Sequence, residues 1–239
     1  MAWGYRILRA AARLVLAEQM RLEIVGIERL PKTGPLLLVS NHLGLTDQFV
    51  IAARLKHEVR ILTKAELFEW PVLGGLARWA DAVPIRRGEA DRVALRTIRD
   101  ALRGGAWVLV FPEGTYAQGD EPLGMLPVKT GAAWLAWQSG APIAPVAITG
   151  TESVWSPGRG WRIWHRPQVR VVFGEPYTPV WQESTTLKES LRAAADEMAT
   201  RIAALLPDAY RGVYSAQSLG LATKSTGSAN ILPGSTPQV

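Results

Sequence analysis

The sequence predicts an α/β fold: a single domain with a largely buried central sheet flanked by helices, opened by an N-terminal amphipathic helix and closed by a C-terminal helix. Short continuous apolar runs recur at 35–40 (PLLLVS), 59–63, 106–111, 143–148 and 169–173, the pattern of strands covered on both faces. Segments of helical periodicity at about 47–55, 90–103 and 128–139 alternate with them. The chain has 239 residues, 48% of them hydrophobic, enough for one large core, with no internal repeat and no mid-chain linker to mark a second domain.

In chain order, residues 3–20 come first. Ile7, Leu8, Ala11, Leu14, Val15 and Ala17 fall near one helical face, and Arg6, Arg9, Arg13 and Arg21 form a basic edge. Two readings fit this stripe equally, an ordinary packing helix and an in-plane membrane anchor. Arg9, Arg13 and Glu18 interrupt it, so it is too polar to span a bilayer and does not read as a secretory leader. The domain proper is expected over 23–213, after a membrane-surface region at 1–22. The last helix starts near Thr186, which has Glu189 at capping-box spacing, and stops before Pro207. From 214 to 239 the composition is that of a disordered tail.

Composition narrows the chemistry. There is no cysteine, so thiolate nucleophiles, disulfides and cysteine-ligated metals are excluded. The net charge of +6 calls for an anionic partner, and ten tryptophans favour a lipid headgroup boundary over nucleic acid. Neither a phosphate-binding P-loop nor a dinucleotide glycine fingerprint is present.

Four segments carry candidate chemistry. In 40–47 (SNHLGLTD), His42 lies just past a strand end and Asp47 five residues later, at a helix start. A carboxylate there can bind one imidazole nitrogen and leave the other as a base. In 110–115 (VFPEGT), a strand end leads into Glu113, Gly114 and Thr115, the grammar of an anion site, although a capped turn reads the same way. Segment 83–87 (VPIRR) brings Arg86 and Arg87 together, suited to phosphate but common on surfaces. Segment 141–146 (APIAPV) reads as a buried strand with prolines. Ser40 and His42 do not make a serine hydrolase, because no GxSxG elbow exists. His57 and His165 read as surface residues, and the tryptophan- and arginine-rich stretch 155–166 as a headgroup contact or a folded hairpin-like loop.

In this order the four segments resemble the 1-acylglycerol-3-phosphate acyltransferase family of glycerophospholipid acyltransferases, whose pattern is NHxxxxD, an arginine motif, FPEGTR and an apolar proline motif. The resemblance extends over about 210 residues. It implies His42 as catalytic base, Asp47 as its orienting partner, Arg87 as a phosphate-binding arginine, and Glu113, Gly114 and Thr115 as the rest of the phosphate pocket, with Asn41 supporting the loop. It also implies a lysophospholipid acceptor, an acyl thioester donor (acyl-CoA or acyl carrier protein) as co-substrate, no resident cofactor or metal, and peripheral attachment to an anionic membrane surface on its cytoplasmic face. One position departs from the pattern: Tyr116 stands where the family has arginine. Arg86 or Lys129 would then supply the missing charge, or the acceptor is a different lysolipid or alcohol. A lipid-binding member of the fold without turnover is the rival reading of another kind.

Overall fold

Leu36, Leu37, Leu38, Val39 and Ser40 are all completely buried, and they form the centre of the sheet. The computed structural model describes residues 7, 10, 16, 18–79, 82–85, 91–117, 123–156, 160–161, 166–181 and 186–215. Seven strands make up the sheet: β1 (Arg21–Val25), β2 (Leu36–Ser40), β3 (Val59–Lys64), β4 (Val83–Ile85), β5 (Trp107–Val110), β6 (Ile143–Thr149) and β9 (Gln168–Phe173), in the order β1-β9-β6-β2-β5-β3-β4. Every pairing in it is parallel except β6 with β9. The short strands β7 (Trp155–Ser156) and β8 (Gly160–Trp161) pair antiparallel as a separate hairpin, which matches the hairpin reading of that stretch.

Side chains leave β2 alternately, so one strand feeds two cores. Leu37 and Val39 join Ile98, Leu102, Leu135 and Met198 on the face covered by α3 (Arg92–Arg103), α4 (Gly131–Ser139) and α5 (Leu187–Leu205). Leu36 and Leu38 join Val50, Ile51 and Ile148 on the face covered by α1 (Asp47–Arg54). Removing a Leu side chain from such a two-sided core typically costs about 2–5 kcal/mol.

Several boundaries differ from expectation. Strand β1 begins at Arg21, inside the region assigned to the N-terminal helix; its alternating Arg21, Leu22, Glu23, Ile24 pattern fits an edge strand paired with β9 alone. In the preceding segment residues 7, 10, 16, 18 and 19 are helical, and the remaining positions of the expected stripe lie outside the described residues. Helix α2 (Pro71–Trp79) was not expected. Helix α4 starts at Gly131 rather than 128; the Val128 and Lys129 amides before it bond to the Tyr214 hydroxyl and the Pro112 carbonyl. Helix α3 is capped by Asp91, whose side chain accepts from the Ala94 amide. Helix α5 has the expected box, with Thr186 and Glu189 capping each other's backbone. Tyr214 ends the last short turn and Ser215 follows it; the rest of the tail expected over 214–239 lies outside the described residues.

Candidate active site

Strands β2 and β5 are parallel neighbours, so their carboxyl ends open side by side, the place where open α/β sheets hold ligands. The chain leaves β2 as Asn41–His42. The Asn41 amide group donates to the Ile148 carbonyl at 2.9 Å and accepts from the Ile148 amide at 2.8 Å. A side chain thus replaces one rung of backbone pairing with β6 and fixes where the His42 loop begins.

His42 Nδ1 lies 2.8 Å from Asp47 Oδ2, and both side chains are buried. The same carboxylate oxygen accepts from the amides of Leu43 at 2.6 Å and Gly44 at 2.9 Å, so Asp47 folds the loop and orients the ring together. Phe111 stacks on the imidazole at 4.0 Å between centroids, 17° from parallel, and Tyr116 meets it edge-on at 4.8 Å. The ring is held in plane and in azimuth, with Nδ1 committed to Asp47. Nε2 is the nitrogen left to face the cavity that His42 lines.

Glu113 turns inward. Its Oε1 accepts from the His42 amide at 3.0 Å and its Oε2 from the Leu126 amide at 2.7 Å. Burial pushes its pKa up to about 8; those two amide bonds pull it down, and nearby Asp47 adds to the rise. With both oxygens engaged by backbone amides, Glu113 ties two loops together. Gly114 has φ +72°, and a Cβ there would come 3.0 Å from Lys129 Nζ, so glycine serves both the turn and the approach of that ammonium. Thr115 lies half-buried beside it.

The cavity has a volume of about 420 Å³. Leu62, Leu67, Ile85, Leu95, Val110 and Leu135 give it apolar walls, and His42, Lys64, Glu66, Tyr116 and Lys129 are the charged or titratable groups among its described lining. Tyr116 and Gly114 also line it, so the neutral phenol occupies the cavity wall beside His42. Arg86 and Arg87 lie outside the described residues, directly after Ile85. Lys64 was missed in the sequence, although its place at the carboxyl end of β3 was a usable signal. Ser40 Oγ donates to the Asn41 carbonyl and plays no part in the dyad. His57, expected at the surface, is half-buried and stacks on Trp107 at 4.1 Å; His165 lies outside the described residues.

The Acyltransferase family model matches residues 21–149, more than half of the chain, a span that includes His42, Asp47, Glu113 and Tyr116. The chain belongs to the Acyltransferase family. This acyltransferase is 25% identical over 199 residues to a 1-acyl-sn-glycerol-3-phosphate acyltransferase of Bacillus subtilis, covering 83% of this chain and 94% of that one. It is 34% identical over 139 residues to a lyso-ornithine lipid O-acyltransferase of Pseudomonas aeruginosa, covering 58% of this chain and 51% of that one. The fold of the acyltransferase matches the crystal structure of the 1-acyl-sn-glycerophosphate acyltransferase PlsC from Thermotoga maritima with a TM-score of 0.61, at 24% identity, over 81% of this chain and 75% of that one.

Proposed function

We propose that the protein transfers a fatty acyl group from a thioester, acyl-CoA or acyl carrier protein, to the free hydroxyl of 1-acylglycerol-3-phosphate, giving phosphatidic acid. The observation that carries this reading is the buried His42–Asp47 dyad, 2.8 Å apart, with His42 lining a cavity of largely apolar walls. His42 Nε2 takes the proton of the acceptor hydroxyl as its oxygen attacks the thioester carbonyl. The carbon–sulfur bond then breaks, and the thiolate leaves with the proton returned by His42. All the groups required are side chains, so the proposed chemistry uses no resident metal or cofactor. Lys64 and Lys129 supply positive charge for the acceptor's phosphate, and the apolar wall takes the acyl chain.

The acceptor and product are membrane lipids, and we assign the basic charge to an anionic membrane surface rather than to nucleic acid. Among the described residues no helix is long and apolar enough to cross a membrane. Trp70, 58% exposed at the cavity lining, suits contact with the headgroup layer. Peripheral binding at the cytoplasmic face completes the proposal.

A second acceptor reading rests on Tyr116, the phenol at the position of the family arginine, and on the Pseudomonas relative named for a lyso-ornithine lipid. The two are separated by assaying transfer to 1-acylglycerol-3-phosphate and to lyso-ornithine lipid in parallel, with wild type and Tyr116→Arg. On the first reading wild type prefers the phosphate acceptor. A wild-type preference for lyso-ornithine lipid, with Tyr116→Arg raising use of the phosphate acceptor by roughly tenfold or more, would overturn it in favour of the second.

A further inference from the structure

After α5 the chain does not leave the domain. Two short turns, Asp208–Tyr210 and Gly212–Tyr214, carry it across the loop at 123–128. The Met125 amide donates to the Tyr210 carbonyl at 3.1 Å, the Val213 amide to the Met125 carbonyl at 3.1 Å, and the Val128 amide to the Tyr214 hydroxyl at 3.0 Å. The backbones meet at two glycines. A Cβ on Gly212, at φ +51°, would lie 2.2 Å from the Met125 carbonyl oxygen, and one on Gly124, at φ +140°, would lie 2.6 Å from the Gly212 nitrogen. The segment is itself anchored: the Tyr210 hydroxyl donates to Glu152 at 2.8 Å, and Arg211 Nε donates to the Ala203 and Leu206 carbonyls at the end of α5.

The clasped loop has no helix or strand of its own, yet it supplies the Leu126 amide to Glu113, whose other oxygen holds the His42 amide. Hydrogen bonds, joined by the short stretch of backbone from Val128 to Leu126 and by the Glu113 carboxyl, therefore link Tyr214 to the backbone of His42. We propose that residues 208–214 form a strap that fixes the position of His42 through this chain, making Gly212 and Tyr214 positioning residues for acyl transfer. The proposal rests on the reading of His42 as the base. Misplacing a catalytic group by about 1 Å can cost on the order of a hundredfold in rate, so a brace of this kind acts on kcat rather than on substrate binding.

The test uses the full chain, acyl-CoA and 1-acylglycerol-3-phosphate as probes, and the variants Gly212→Ala, Tyr214→Phe, Glu113→Ala and the Tyr214→Phe/Glu113→Ala pair. Expected are a fall in kcat of roughly tenfold for Gly212→Ala and a smaller one for Tyr214→Phe, with KM for both substrates within about twofold. The paired variant should lose no more than Glu113→Ala alone, because both changes break one chain. A kcat within twofold of wild type in Tyr214→Phe, or losses that multiply in the pair, would overturn the strap. Tyr214→Phe adds no bulk and carries the test if Gly212→Ala does not fold. Amide hydrogen exchange gives a readout independent of activity: Tyr214→Phe should speed exchange at His42 as well as at Val128, and unchanged exchange at His42 would also overturn the proposal. Failure of the underlying reading is seen separately, as full transfer by His42→Ala.

Discussion

His42 and Glu113 are both buried, and their polar atoms are engaged differently. The imidazole presents one nitrogen to a cavity, while the carboxyl spends both oxygens on backbone amides. That difference has a thermodynamic signature. The folded state raises the Glu113 pKa from 4.5 to about 8, so it holds the proton more firmly than the unfolded chain does. The resulting contribution to stability is complete below about 4.5 and is lost as the pH rises toward 8, an effect on the order of a few kcal/mol. Glu113→Gln has no proton to lose, so its unfolding free energy, measured by denaturant titration at several pH values, should fall less steeply than that of wild type between pH 4.5 and 8. An identical slope would contradict the assignment. The motif located Glu113 in the sequence but not its direction, because that is decided by the Leu126 amide, thirteen residues further on in a loop without periodic pattern.

Among the elements, those with a strong hydrophobic period were legible: the buried runs of β2, β5 and β6 and the capped helix α5 lie close to where the sequence puts them. Edge strand β1 was not, since five residues half exposed at the sheet margin are easily taken for the end of the preceding helix. That helix bears on how the protein meets a membrane. Its inner end is core, with Leu16 and Met20 at 6% and 1% exposure, whereas Ile7 is 43% exposed. Deleting the segment would therefore damage the fold, and charge reversal is the cleaner probe. Replacing Arg6, Arg9 and Arg13 with Glu should weaken binding to anionic vesicles by at least about a hundredfold at low salt, since loss of the attraction alone costs about 1 kcal/mol per basic residue, and leave binding to neutral vesicles little changed. Cosedimentation with the two vesicle types measures this, and equal loss on both would contradict electrostatic anchoring.

At the scale of the whole molecule, a mostly parallel sheet with its crossovers gathers segments far apart in the chain at the carboxyl ends of its strands: His42 after β2, Lys64 at the end of β3 and Tyr116 after β5, with Lys129 before α4. The sequence revealed His42 and Asp47 because their spacing is local, and the family pattern marked Tyr116 as a departure. Lys64 was marked only by its place at the end of a strand, and nothing in the sequence marked Tyr214 as a brace, because that depends on which segments the fold brings together. We propose that this assembly makes His42 the base for acyl transfer. Its most direct test is transfer of a radiolabelled acyl group from acyl-CoA to 1-acylglycerol-3-phosphate by wild type and by His42→Ala, each checked for folding by circular dichroism. Transfer by wild type that falls by at least about a hundredfold in the folded variant is the predicted result, and transfer undiminished without the imidazole would contradict it.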